Sequence, residues 1–355
     1  MKKNFNNLLK KNDFDLEKLL KKFAAETDLH FRSYKIKRIF MRPFSLIVNV
    51  RLLNDASMDI FIKIYKQENN TKFKDNLLRE YQITEYWFNK FKKHRYFHTI
   101  EPVWLNMENQ VIITREASGI NLLSFLEHRI MLLPSEKSIR KAVFYLSQAG
   151  QWLAYFQKHE ITDDIPYLDR SVKINIDYFL DYISIRMNRM VQNKKIKFDR
   201  TMQNQVIKTI GRLWERAGSY KNSYSVSHSD FSLSNILVAQ KHVTVLDFHS
   251  SEINSPLKDL SRLYHQLYLL SFKPIYQDRI IKKLQHALLS GWGDENVNND
   301  PLFRIYFLMH QMNHLGKIAR YWEHNFVENI YNRLVVKKSL QHLTEFLAHE
   351  SQAKN

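Results

Sequence analysis

The sequence predicts an α+β chain of two lobes, a small antiparallel sheet near the N-terminus followed by a large, mostly helical lobe. Three observations carry that expectation. Alternating apolar runs at residues 34–41, 46–53 and 59–65 are separated by turn-forming segments at 42–45 and 54–57, the pattern of an antiparallel meander. Beyond Gly119, apolar residues recur at helical spacing over 139–159, 177–191 and 205–217. Helical spacing then continues through 257–350, with a break marked by Gly291-Trp-Gly293 and by residues 298–301. At 355 residues and 44% hydrophobic content the chain can fill a substantial core. The boundary is expected near residue 115, dividing 1–115 from 116–355.

Composition narrows the partners. There are 54 Lys and Arg against 36 Asp and Glu, a formal charge of +18. Such a balance favours phosphates, acidic glycans or an anionic membrane surface, and disfavours a polycationic acceptor. Nucleic acid binding has no supporting motif. With no cysteine, disulfides, thiolate nucleophiles and Cys-ligated zinc are excluded. No apolar run is long enough to span a bilayer and no signal-peptide block is present, so the expected location is the cytoplasm. Residues 1–31 intersperse Leu8, Leu9, Leu16, Leu19, Leu20 and Phe23 with seven lysines. That arrangement allows a peripheral contact with the inner face of a membrane. The commoner reading is a surface helix packed on its own domain.

The chemistry concentrates in one stretch, His228-Ser-Asp230-Phe-Ser-Leu-Ser-Asn235, followed by Asp247-Phe248. Residues 236–239 and 243–246 read as two strands of a hairpin around a polar tip, Gln240-Lys241-His242. If they pair about Lys241, residues whose numbers sum to 482 are opposed, and Asn235 meets Asp247 at the open end. One amide oxygen and one carboxylate suit Mg²⁺, which keeps water and phosphate oxygens in its shell. Asp230 stands just ahead, able to accept a hydroxyl proton. His228 is read as a buried structural histidine.

This spacing, His-x-Asp with Asn five residues on and then Asp-Phe, resembles the catalytic loop and metal motif of the protein-kinase-like superfamily, and within it the aminoglycoside phosphotransferase and choline kinase branch. The resemblance implies a two-lobed kinase fold, use of ATP with Mg²⁺, Asp230 as catalytic base, and Asn235 and Asp247 on the metal. The downstream run from Ser255 to Arg262 resembles the family's helix start, where an aspartate, here Asp259, braces the catalytic loop. Protein Ser/Thr kinases carry Lys two residues after the catalytic Asp. Ser232 occupies that position, and Ser229 precedes Asp230. A small-molecule or glycan acceptor, neutral or anionic, is therefore expected.

In the third strand, Lys63 is a cation in an apolar run, costly to bury without an anion. Glu80, in a helical pattern at 76–86, is the expected partner, with Glu85 a rival. The resemblance gives the pair the role of binding and orienting ATP phosphates, and it places the adenine against the backbone from Thr114 to Ala117. One departure is plain, because no glycine precedes Gly119. A Gly-rich phosphate cover is therefore missing at 42–45, where Arg42 or Ser45 would have to substitute. His310 and His314 share a helix face at i and i+4. Without a third ligand they are read as an acceptor-site or surface feature. His249 directly follows Asp247-Phe248 and is not assigned as a ligand. The acceptor pocket is expected from 161–200 and 300–324 of the large lobe. Competing readings are a kinase for the sugar of a membrane glycolipid, for which the basic charge and the N-terminal segment would be useful, and a non-catalytic pseudokinase binding module.

Overall fold

The computed structural model describes residues 15–41, 45–53, 57–65, 71–321 and 326–352. Leu8, Leu9 and Arg42 lie outside the described residues. The chain divides into two compact units, one closing with Thr99–Ala117 after the residues up to Lys93, the other made of His94–His98 and the chain from Ser118 onward.

The first unit is built on a five-stranded antiparallel sheet of β1 (Ser33–Met41), β2 (Ser45–Leu53), β3 (Met58–Tyr65), β5 (Pro102–Asn106) and β6 (Val111–Arg115), ordered β1-β2-β3-β6-β5. Period-2 alternation decides its faces. Ile60, Ile62 and Ile64 of β3 join Val48, Val50 and Leu52 of β2 in the core, while Phe61, Lys63 and Tyr65 point to the opposite face. Helix α1 (Leu16–Glu26) covers the apolar face. Asp15 caps it by accepting from Lys18 N at 3.0 Å, and Leu16, Leu19, Leu20 and Phe23 are at most 3% exposed. The apolar side of the described N-terminal helix is thus committed to its own unit. Helix α2 (Thr71–Phe91) carries Glu80.

The second unit is mostly helical: α3 (Leu122–Arg129), α4 (Glu136–Gln157), α5 (Ile176–Gln192), α6 (Arg200–Arg216), α7 (Leu257–Ser271), α8 (Asp278–Trp292), α9 (Pro301–Tyr321) and α10 (Phe326–Gln352). One small sheet joins β4 (Phe97–Thr99), β10 (His242–Val245), β9 (Ile236–Ala239) and β7 (Ile120–Asn121), and another pairs β8 (Ser225–Ser227) with β11 (Glu252–Asn254). Gly291, expected to mark a break, sits inside α8. A Cβ there or at Gly150 would collide with the backbone of the facing helix, so this pair lets α4 and α8 touch directly. The helix ends two residues later, at Gly293 with φ 114°.

The hairpin corrects the predicted register. Partners are His242 with Ala239 and Val245 with Ile236, so opposed numbers sum to 481 and Asn235 faces Leu246, whose N–H donates to Asn235 O at 2.9 Å. The tip is a two-residue turn, Gln240-Lys241, which Gln240 makes possible by adopting φ 50°. Asp247 is therefore not opposite Asn235 but one step beyond the ladder.

Candidate active site

The catalytic-loop segment leaves β8 and enters β9, and one helix face holds it throughout. Asp259, Arg262 and Gln266 stand at i, i+3 and i+7 on α7, which places them in one stripe. Asp259 is fully buried and accepts three hydrogen bonds, from Ser227 Oγ at 3.0 Å, His228 N at 2.6 Å and Ser229 N at 2.9 Å. Arg262 Nη2 donates to Asp230 Oδ1. Gln266 Oε1 accepts from Leu233 N at 2.8 Å, and Leu233 O accepts from Leu123 N of α3 at 2.9 Å. Burial pushes the Asp259 carboxyl up, against the pull of His228 and Lys258.

His228 is wholly buried. Its Nε2 hydrogen-bonds Leu246 O at 2.9 Å and its Nδ1 accepts from Asp230 N at 3.2 Å. This pairing requires the neutral tautomer protonated at Nε2. Burial lowers its pKa, opposed by Asp259, Asp230 and Asp247. The ring ties the catalytic loop to the end of the hairpin, and aromatic rings floor both. Phe231 stacks on Trp152 at 5.6 Å, and Phe248 lies 4.7 Å from the His228 ring.

Above this floor the polar groups converge. Asn235 Nδ2 donates to Asp230 O and to Asp230 Oδ2, both at 3.0 Å. Two acceptors fix which end of the amide is nitrogen, and the amide oxygen is turned the other way. Asp247 has a left-handed backbone, φ 71° and ψ 61°, a rare conformation for a non-glycine residue and one found at functional turns. It redirects the carboxylate after the ladder has ended. His249 Nδ1 reaches Asp247 Oδ1 at 2.7 Å, and His249 Nε2 lies 2.9 Å from Ser250 Oγ. Among the described residues no three His, Cys, Asp or Glu side chains form a metal-holding group. An amide oxygen and a carboxylate are donors of the hard kind that would suit Mg²⁺ beside water and phosphate oxygens.

In the first unit, Lys63 Nζ lies 2.6 Å from Glu80 Oε1, and Tyr65 Oη donates to the other oxygen of Glu80. Glu85, the rival partner, instead neighbours Tyr81. Thr114 pairs with Phe61 in the sheet. The amides of Arg115 and Glu116 donate to Glu101 O and Asp59 O, each at 2.9 Å.

Three residues of this neighbourhood escaped sequence reasoning: Arg262, Gln266 and the Asp247 partnership of His249. The helical stripe that begins at Asp259 was the available signal for the first two. The surface reading of His310 and His314 is corrected. Burial drives both down, His310 to about 3 and His314 to about 4, and His310 Nε2 is bonded to Lys258 O at 3.1 Å. Two surface cavities of about 520 and 640 Å³ lie elsewhere, one between α6 and α10, the other lined by Tyr264, Tyr268, Phe303 and Phe307.

No protein-family model and no curated protein matches the chain. Solved structures do. An ADP-bound aminoglycoside phosphotransferase, APH(2″)-Ib, aligns at 14% identity over 92% of this chain and 97% of its own, with a TM-score of 0.55. Choline kinase from Cryptosporidium parvum Iowa II aligns at 13% identity over 93% and 96%, TM-score 0.55. The amicoumacin kinase hAmiN, in complex with AMP-PNP, Ca²⁺ and Ami, aligns at 12% identity over 92% and 93%, TM-score 0.57. Identities this low establish fold alone. The expected α+β architecture is borne out: the chain has the protein-kinase-like fold, in the form found in aminoglycoside phosphotransferases and choline kinases.

Proposed function

We propose that the chain is an ATP- and Mg²⁺-dependent phosphotransferase that moves the γ-phosphate to a hydroxyl of a small molecule or glycan, neutral or anionic. The observation that carries this reading is the ordering of Asp230. Its carboxylate is held by Arg262 on one oxygen and by the Asn235 amide on the other, on a loop fixed from beneath by Asp259. A carboxylate so fixed is positioned to orient an acceptor hydroxyl and take its proton. Asn235 and Asp247 would hold Mg²⁺, which neutralises phosphate charge when bound. Lys63, oriented by Glu80, binds nucleotide phosphate as a point charge. The adenine contact falls toward Thr114 and Ala117, since the two intervening amides are committed to Glu101 and Asp59. Little covalent chemistry is asked of the protein, and positioning with charge stabilisation does most of the work.

The pseudokinase alternative has less support, because Lys63, Asp230, Asn235 and Asp247 are all present. The test is ATP consumption by the purified protein, stimulated by a panel of sugars, amino alcohols and antibiotics, in the wild type and in Asp230→Asn. Acceptor-stimulated turnover that disappears in the variant supports the reading. Wild-type turnover in the variant removes it.

A further inference from the structure

The loop that joins α3 to α4 exposes side chains of the kind folded chains mostly bury. Met131, Leu132 and Leu133 follow one another and are 37%, 66% and 91% exposed. Single exposed apolar side chains are ordinary, whereas a contiguous group marks a surface that meets something. Leu132 has φ 58°, the left-handed region that a bulky side chain seldom takes. The facing loop before α8 holds it there. Leu132 N donates to Ile275 O at 2.7 Å, and Leu132 O accepts from Gln277 Nε2 at 3.0 Å. With both backbone groups tied to that loop, the tip is fixed and its side chains are left to solvent.

The charge around the tip is basic. Directly after the loop, Lys137, Arg140, Lys141 and Phe144 stand at i, i+3, i+4 and i+7 on α4 and are all exposed, Phe144 to 39%. From the other side, Arg279 Nε donates to Gln277 Oε1 at 3.2 Å, and the same glutamine amide holds Leu132. Across the two segments that meet here, 127–141 and 273–283, eight Lys and Arg accompany three acids, Glu127, Glu136 and Asp278. Glu127 is paired with Lys273 at 3.8 Å and Asp278 with Lys282 at 2.9 Å. Arg129, Lys137, Arg140, Lys141, Arg279 and Lys283 then stand against Glu136, and all seven are exposed. Helix α10 contributes another cation, Lys338, whose Nζ donates to Phe272 O at 3.2 Å.

We propose that this tip and its basic surround dock on an anionic bilayer surface, with the three apolar side chains entering the boundary between headgroups and acyl chains while Lys and Arg reach lipid phosphates. Basic side chains set around apolar ones suit an interface that is hydrocarbon on one side and phosphate on the other. Three side chains on one turn are too narrow a patch for a stable protein interface, which takes about 800 Å² from each partner. A second copy docked through the same patch would set one basic surround against another. The described part of the N-terminal helix does not compete for this role, because its apolar side is buried in its own unit. No described helix is long and apolar enough to cross a membrane, so the contact proposed is peripheral. It goes beyond the phosphotransferase reading and does not rest on it, since it requires no nucleotide.

The test is sedimentation of the full chain with phosphatidylcholine vesicles, with and without phosphatidylserine, at low and at high salt. Binding is expected only where phosphatidylserine is present, and it should fall as salt screens the basic surround. Leu133→Ser should weaken it about tenfold, as the loss of inserted methylenes predicts, and Arg140→Ser about fivefold. Leu132→Gly separates docking from folding. Glycine accepts φ 58° without strain, so the melting temperature should hold or rise while vesicle binding weakens. Ile185→Ser, at another exposed apolar position on α5, should bind like the wild type. Failure to sediment with phosphatidylserine vesicles overturns the proposal. So does binding that persists undiminished in Leu133→Ser and Leu132→Gly, which would assign the contact to another part of the chain. Self-association that depends on Leu133, without vesicle binding, would give the patch to a second copy and overturn it as well.

Discussion

The two units each contain an ion pair at a proposed functional position, and the pairs are built in opposite senses. In Lys63 with Glu80, the acid is the more buried member, 15% exposed against 27% for the lysine, and it takes a second donor from Tyr65. In Arg262 with Asp230, the cation is the more buried, 23% against 31%. In each pair the less exposed member holds and the more exposed one is presented, so the first unit offers a fixed positive charge and the second a fixed carboxylate. Burial, not residue type, distinguishes support from tool.

The largest expected effects come from removing the presented groups of the second unit. Asp230→Asn should lower turnover by about 10²–10⁴-fold, the usual contribution of a general base, and Asp247→Ala should do at least as much damage. Circular dichroism and melting temperature should stay near wild type in both. Next comes the holder beneath them. Asp259→Ala strands the buried His228 N–H and takes an acceptor from the Ser229 N–H and from the Ser227 hydroxyl, which keeps Ser229 Oγ as its partner, an unsatisfied buried group being worth about 1–3 kcal/mol. A loss of about 3 kcal/mol or more should appear in chemical denaturation; an unchanged midpoint would show that the loop does not depend on its brace. Lys63→Met should weaken nucleotide binding by about ten- to a hundredfold, the worth of one charged hydrogen bond, and Glu80→Gln by less. A larger effect from Glu80 than from Lys63 would break the comparison, because support would then outweigh tool.

The last prediction concerns stability in acid, outside the working range of the site. His310 and His314 titrate near 3 and 4 in the folded chain, against about 6.5 unfolded. Their pKa values are depressed, so below 6.5 the unfolded chain binds more protons. Stability present above 6.5 should fall as pH drops toward 4 and then 3. His314→Gln should flatten the melting temperature profile across that interval, and an unaltered slope would count against the buried-neutral assignment.

Much of the fold was legible because it rests on period. The strands at 34–41, 46–53 and 59–65 alternate cleanly, and the apolar stripes of α4 to α7 repeat at helical spacing. Strands β4, β5, β8 and β11 were not anticipated, being three to five residues long, too short for a pattern to accumulate. The hairpin register missed by one residue because it turns on Gln240 adopting a positive φ, which composition does not announce. Lys63 with Glu80 was readable as a cation needing an anion. Arg262 carried a signal, three residues past Asp259 on one helix face, but a side chain's direction across tertiary space is not written in spacing alone. The buried state of His310 and His314 depends on which neighbours cover α9, and no local pattern encodes that.

The central claim is that Asn235 and Asp247, at the mouth of one hairpin, hold a divalent ion that bridges protein and nucleotide. Its most direct test is the affinity for a non-hydrolysable ATP analogue, measured with Mg²⁺ and with chelator, in the wild type and in Asp247→Ala. Tighter binding in Mg²⁺ for the wild type, with that gain abolished in the variant, is the predicted result. Affinity indifferent to Mg²⁺, or a gain that survives loss of the Asp247 carboxylate, would contradict it.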